Sequence, residues 1–423
     1  MRGRPTGIAN LIVKKKMLKK MLKKSLILGV VGVLSVLFAS SVFGQEAAPL
    51  LAPGTKVTFT VAPDKDAKFS VELKEDGFAQ FAWTASDSNT FLYEITDSSG
   101  KVLQKGDSSW AKAAYFVAPT VGVYSIRFFL DPRAEDKKPQ TSSMTYGNDF
   151  TIPKRGEIKA SRKTAGYEIA IVNVPDTDKE AGESFVTVRK DGGLKNLLHS
   201  DVGSPAMGYS FAGTVEKSAP ADERKTAALI NNTPDKTGDG VPDVMLEYYS
   251  GGAHCCTTYY FIELPKAGPV AVRSVDTGNA GMIPIGKNPK GGLRFETADN
   301  AWAYWNMSFA GSPMPSVILE FKDGEAVPNF ALMKKPAPST AVLKRKAAAA
   351  RKKISNEPYT DEFGQFEDAF WSEMIDLIFT GHEDLAWNYF DMVWPKAKPG
   401  KEKFLKDFKE VLGNSYYAEK GKE

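Results

Sequence analysis

Between Asp235 and Cys256 the chain reads DKTGDGVPDVMLEYYSGGAHCC, and most side chains able to do chemistry in one place fall within these 22 residues. Asp235, Thr237, Asp239 and Asp243 offer oxygen atoms at spaced positions of a tight loop, and Gly240 permits the sharp turn. The carbonyl of Val241 falls between Asp239 and Asp243. Oxygen atoms so spaced suit calcium, a hard cation that takes six to eight of them. An EF-hand would place a bidentate Glu at its twelfth position; Leu246 stands there, so the loop is of another kind. The reading without a metal is an Asp/Gly turn closed by Asx hydrogen bonds. Gly251-Gly252-Ala253-His254-Cys255-Cys256 follows at once and holds both cysteines of the chain. One outcome is a disulfide between Cys255 and Cys256. Adjacent Cα atoms lie about 3.8 Å apart, whereas ordinary disulfides want about 4.4–6.8 Å, so that ring would be strained and easily reduced. The alternatives are two buried thiols, a link between chains, or a soft metal held by His254 and the thiolates. The ring would make a rigid apolar plate beside Tyr248 and Tyr259, so His254, Cys255, Cys256, Tyr248 and Tyr259 are the candidate ligand-binding residues. A sugar or a peptide fits such a surface.

The elements that must position these residues are strands. Val244, Leu246 and Tyr248 alternate after the acidic loop, as do Tyr260, Ile262 and Leu264. A calcium loop that leaves as a strand rather than a helix resembles the FG-GAP/VCBS-type repeats of integrin-like propellers. That resemblance implies a structural calcium ion at Asp235, Thr237, Asp239, Val241 and Asp243. GDGVPDVMLEYYSGGAHCC with the later WAYWNMSFAGSPMPSVIL also resembles a recurrent arrangement in uncharacterised exported bacterial proteins.

Residues 1–44 read as a secretory signal peptide. Arg2, Arg4 and seven lysines up to Lys24 form a basic start, and an uncharged run follows from Ser25 to Gly44. Its apolar heart, Leu26–Ala39, is short for a membrane span, which needs about 20 residues. The rest of the chain holds 46 Lys+Arg against 51 Asp+Glu, a net of about −5. The basic balance therefore belongs to the leader, and nothing argues for nucleic acid. The expected location is periplasmic or extracellular, with no membrane span once the leader is removed.

Residues 50–155 alternate as short strands. Phe69, Val71 and Leu73 form one set, Phe91, Tyr93 and Ile95 another, and Asp97-Ser-Ser-Gly100 is a turn. Several strands at this spacing predict an antiparallel β-sandwich. YEITDSSGKVL followed by YFVAPTVGVYSIRF resembles the prepeptidase C-terminal (PPC-like) type of jelly-roll module, which implies an accessory or binding role. Residues 156–333 are again β-rich, with no helical period of comparable length. Their strand groups fit three or four propeller-like blades or one large sandwich. Residues 334–353 form a Pro-rich linker and a basic Ala-rich helix, with eight basic residues and no acidic one. Residues 354–395 invert that balance with ten acidic residues and no Lys or Arg, which invites docking of the basic helix on the acidic ones.

Residues 354–423 read as a helical tail. Its apolar stripes run Phe363–Ile378, Leu385–Val393 and Phe404–Leu412. LIFTGHEDLAWNYFDMVW resembles one tetratricopeptide helix pair. The expected fold class is thus mainly β with an α-helical tail. His199, His254 and His382 lie in separate regions, and no G-x-S-x-G elbow, H-E-x-x-H pair or phosphate-binding glycine loop occurs. The leading expectation is an exported binding or envelope-associated protein without enzyme activity, partnered by carbohydrate or an envelope protein. The rivals are a hydrolase of cell-wall or other polymers and a scaffold whose tail binds a partner protein.

Overall fold

The computed structural model describes residues 48–84, 91–108, 112–132, 138–177, 182–202, 207–252, 256–360 and 366–419. The signal-peptide reading of residues 1–44 lies outside them. The described residues form one compact unit. It is mainly β, with five four-stranded antiparallel sheets and an α-helical tail.

The first two sheets make the expected sandwich. β1 (Lys56–Val61), β8 (Gln140–Gly147), β3 (Phe78–Trp83) and β6 (Ala113–Val117) form one face, in that order. β2 (Ala67–Leu73), β7 (Gly122–Phe129), β4 (Leu92–Thr96) and β5 (Val102–Asp107) form the other. Alternate side chains meet between them: Phe59 stacks on Phe128 at 4.6 Å, and Trp83 and Phe91 meet edge-on at 5.7 Å. Asp97 closes the β4–β5 turn by accepting the amides of Ser99 and Lys101 at 2.9 and 3.0 Å.

The remaining three sheets are meanders of consecutive strands. They are β9–β12 (Glu157–Thr164, Tyr167–Val174, Gly182–Lys190, Gly193–Val202), β13–β16 (Gly208–Phe211, Asp243–Tyr249, Thr257–Glu263, Ala271–Gly278) and β17–β20 (Ile283–Lys287, Leu293–Ala298, Ser316–Lys322, Glu325–Pro328). The Asp191-Gly192 and Asp323-Gly324 turns have positive φ at both residues, the requirement of tight hairpins that Asp-Gly meets at low cost. The sheets stack in layers. Ile169 and Ile171 of β10 pack with Val244, Leu246 and Ile262 of the next meander, while Val172 and Val174 pack back on Phe78 and Val117 of the sandwich. A strand buried on both faces must be apolar at odd and even positions alike, as Ile169–Val172 is.

One element departs from the sequence reading. Between β13 and β14 the chain forms helix α1 (Ala221–Asn231), with Asp222 and Glu223 in its first turn, which suits the positive end of the helix dipole. Only Ala227 and Ile230 are buried on it, so its apolar stripe is too narrow to stand out in the sequence.

After β20 come α2 (Phe330–Met333) and, in the basic segment, α3 (Thr340–Arg351); the tail contains α4 (Trp371–Phe379), α5 (Glu383–Val393) and α6 (Lys401–Gly413). Ser339 caps α3 by accepting the Val342 amide, and Gly381 follows α4 at φ 90°. The first apolar stripe is not one helix: Phe363 lies outside the described residues, and the buried Phe366 and Phe370 precede α4. Those two rings pack on each other at 5.3 Å and on Phe404 of α6, a task that needs burial and not helical spacing. The tail docks on the β layers through Trp302 against Phe408 and Trp305 against Trp371, at 4.8 and 5.2 Å. The basic segment does meet the acidic one. Lys335 pairs with Asp376 at 3.0 Å, Lys346 with Glu373 at 2.5 Å, and Lys353 with Asp368.

Candidate functional site

The acidic loop is closed by its own backbone. Asp235 Oδ1 accepts the amides of Gly238 and Asp239 at 2.6 and 3.2 Å, and its Oδ2 accepts that of Gly240 at 2.8 Å. Asp239 Oδ1 accepts the Val241 amide at 2.8 Å. Asp243 Oδ2 accepts the amides of Lys236 and Thr237 at 2.8 and 3.1 Å and the Thr237 hydroxyl at 3.3 Å. The charge balance comes from a residue absent from the sequence candidates. Lys236 is buried, and its Nζ donates to the carbonyls of Thr233 and Asp243 at 3.0 and 2.8 Å. Its Nζ also stands 3.7 Å from Asp243 Oδ1, a buried oxygen with no hydrogen bond. Burial pushes the Asp243 carboxyl up to about 6, against the pull of the Lys236 ammonium, and burial lowers Lys236. Among the described residues no group of three or more His, Cys, Asp or Glu side chains is placed to hold a metal ion.

The loop also clasps two layers. The Leu293 amide donates to the Lys236 carbonyl at 2.7 Å. Gly238 lies so close to the β17–β18 turn that a Cβ on Gly292 would meet the Gly238 nitrogen at 2.7 Å. Glycine is needed at that contact because backbone meets backbone.

At the far end of β14, seven residues on, sits the Gly-Gly turn. A strand of that length spans about 20 Å, so the acidic loop and the turn are separate places. His254 and Cys255 lie outside the described residues, and with them the Cys255–Cys256 ring. Cys256 is half-buried; its amide donates to Ser250 Oγ, and its carbonyl accepts the Ser250 amide, both at 3.1 Å. Gly251, at φ 91°, is held against Met207, whose Cε would be 1.9 Å from an added Cβ.

The two candidate tyrosines do not share a face. Register pairs Tyr248 with Thr258 and Glu247 with Tyr259, so Tyr248 and Tyr259 point to opposite sides of the sheet. Tyr248 packs on Tyr209 at 4.9 Å and shares a hydrogen bond with Ser200. Tyr259 is buried on the other side, where its hydroxyl accepts the Met282 amide at 3.1 Å. The single aromatic platform expected from the sequence is therefore not formed.

That second side carries a cleft of about 350 Å³ between β14, α1 and the start of β17. Its walls include Val215, Ile230, Met245, Met282 and Ile283, and its polar groups include Glu247, Tyr259, Asp222 and Glu223. No Lys, Arg or His lines it. The Glu247 carboxylate forms no hydrogen bond or ion pair among the described residues, and burial raises its pKa. Sequence alternation put Glu247 on the side opposite Leu246 and Tyr248, which reads as a solvated face; the unforeseen α1 turns that face into a cleft. The two described histidines are elsewhere. His199 meets Glu183 at 3.0 Å between the rings of Tyr115 and Phe185, and His382 meets the Lys335 carbonyl at 2.7 Å.

No described helix is long and apolar enough to cross a membrane. No family model matches the chain, and no curated protein matches it. Among solved structures, the chain is similar to the pre-peptidase C-terminal domain of a collagenase from Bacillus anthracis, at 12% identity over 24% of this chain and 95% of that one, TM-score 0.20. PliG of Aeromonas hydrophila, a periplasmic inhibitor of g-type lysozyme, matches at 8% identity over 24% of this chain and 96% of that one, TM-score 0.21. The Bacillus licheniformis lipase BlEst2 in propeptide form matches at 11% identity over 57% of this chain and 43% of that one, TM-score 0.16. At these scores none of them assigns a function.

Proposed function

We propose that this chain is an exported ligand-binding protein and that the cleft beneath α1 is its binding site. The basic start and uncharged run of residues 1–44 support export. The observation that carries the reading is the cleft itself: about 350 Å³ of space with apolar walls and an unpaired, desolvated carboxylate. Concave apolar sites with a few converging polar groups are where small ligands bind, and this volume lies at the lower end of their usual range. Sheets packed on both sides hold Met245, Glu247 and Tyr259 rigidly, so the site needs little ordering on binding. Carbohydrate and envelope proteins remain candidate partners. Calcium at the Asp235–Asp243 loop is a separate proposal, tested below by chelation.

The test is a fragment screen by protein-observed NMR on the wild type and on Thr226→Trp, which fills the cleft from the α1 side. Fragments that shift the Met282 and Tyr259 amides in the wild type alone support the reading. Fragments that bind equally to both proteins, or no shifts at these amides, overturn it.

A further inference from the structure

We propose that the cleft beneath α1 takes a neutral small molecule with a hydroxyl group on an apolar carbon skeleton, the hydroxyl set between Tyr259 and Glu247. This rests on the binding reading above and names the chemistry of the same site. Tyr259 is only 6% exposed and lines the cleft from the sheet. Its oxygen accepts the Met282 amide at 3.1 Å, while its own proton has no acceptor among the described residues. Burial, and after it the nearby Glu247 carboxylate, push this phenol up to about 12, so it keeps its proton at neutral pH. A phenol so deeply buried normally completes its hydrogen bonds, and what this one lacks is an acceptor. Glu247 stands opposite Tyr259 in the β14–β15 register, so both side chains leave the same side of the sheet. The Glu247 carboxylate is without a hydrogen bond among the described residues, and what it lacks is a donor. One hydroxyl group meets both needs: its oxygen accepts from Tyr259 and its proton goes to Glu247. Other ligand classes leave one side unmet. An ammonium group has no lone pair for Tyr259. An anion would find no Lys, Arg or His in the lining and would face the Glu247, Asp222 and Glu223 carboxylates. A hydrocarbon would cover both polar groups without a compensating bond to either. Water satisfies the polar pair but leaves the walls wet, and Val215 and Ile283 are 41% and 54% exposed. A carbon skeleton bearing the hydroxyl buries that apolar surface as well, and about 350 Å³ admits one six-membered ring.

The probes are cyclohexanol, which accepts and donates, methoxycyclohexane, which only accepts, and cyclohexylammonium, which only donates. Each is titrated into the purified protein and followed at the Met282 amide by NMR. Cyclohexanol is expected to saturate one site and to bind about fivefold tighter than either of the others, the worth of one net hydrogen bond. Tyr259→Phe is expected to weaken the alcohol and the ether alike by about fivefold. Glu247→Met is expected to weaken the alcohol by about as much and the ether not at all, which separates the two contacts. Should Tyr259→Phe unsettle the Met282 amide, which loses its acceptor there, the alcohol-to-ether ratio in Glu247→Met still decides. Equal binding of alcohol and ether by the wild type, an ammonium that binds tighter than the alcohol, or an alcohol affinity unchanged in both variants overturns the proposal. Thr226→Trp separates this failure from that of the binding reading. If neutral probes bind the wild type but not Thr226→Trp, with no advantage for the hydroxyl, the cleft is a binding site and only the hydroxyl assignment falls. If no probe saturates in the wild type, both fall.

Discussion

Replacing Lys236 with Met removes a buried ammonium while keeping a long apolar side chain. The carbonyls of Thr233 and Asp243 lose donors at 3.0 and 2.8 Å, and Asp243 Oδ1 loses the ammonium 3.7 Å away. Breaking a buried ion pair from one side costs about 3–5 kcal/mol. Asp243 Oδ2 keeps two amides and a hydroxyl, so the lower end, about 3 kcal/mol, is expected at pH 8. The cost must depend on pH. Asp243 already titrates at about 6 instead of 3.8, so the native state binds its proton more tightly than the unfolded chain does. A raised carboxyl pKa means that stability falls as pH rises from about 4 to 6, by at most about 3 kcal/mol in the wild type. Without the ammonium that pKa rises further, so at pH 5 the variant holds a neutral carboxyl and its penalty shrinks toward the two lost carbonyl bonds. Urea unfolding of wild type and Lys236→Met at pH 5 and 8 measures this, with Lys236→Met/Asp243→Asn as the neutral pair. The double variant is expected to be the more stable of the two at pH 8. Equal penalties at both pH values, or a double variant less stable than the single one at pH 8, would refute the internal-cation argument. Calcium and chelator form the control. If the loop takes the proposed calcium ion, the wild-type midpoint rises with calcium and falls with chelator; equal midpoints in both would remove that proposal.

Docking of α3 rests on Leu343 and Ala347, both buried, more than on its exposed ion pairs. Leu343→Ala should therefore cost about 2–5 kcal/mol, and Lys346→Ala under about 1 kcal/mol, in the same urea assay. Asp299 is buried and accepts the amides of Ala301 and Tyr416 at 2.9 and 2.7 Å. Asp299→Ala should cost about 1–3 kcal/mol and raise hydrogen exchange at residues 416–419; unchanged exchange there would count against Asp299 as the tie between tail and β layers. No described cysteine is a free thiol, so the protein should be lighter by its two thiol hydrogens in intact mass analysis, without a dimer. Mild reduction should restore them with little loss of melting temperature, because so small a loop removes little unfolded-chain entropy. Two freely titrating thiols would exclude the ring.

Local pattern alone specified much of this molecule. Alternation of Phe69, Val71 and Leu73 or of Val244, Leu246 and Tyr248 placed strands correctly, because a pleated strand buries every second side chain wherever it lies. The stripes at Leu385–Val393 and Phe404–Leu412 placed two helices of the tail for the same kind of reason, and the opposed charge runs anticipated that the basic helix meets the acidic helices, as Lys346 meets Glu373. What pattern could not carry was partnership across the chain. The sheet that follows from register separates Tyr248 from Tyr259, though both flank the Gly-Gly turn in sequence. Lys236 reads as a solvated charge until the fold closes over it, and its burial then follows from Leu293 and Gly292, more than fifty residues away. Glu247 reads as a polar outer face until α1 covers it. Sequence period reports which side of an element is apolar; which surface comes to lie against that side is a long-range choice among packed layers, and the charge state of Lys236, Asp243 and Glu247 is set by that choice.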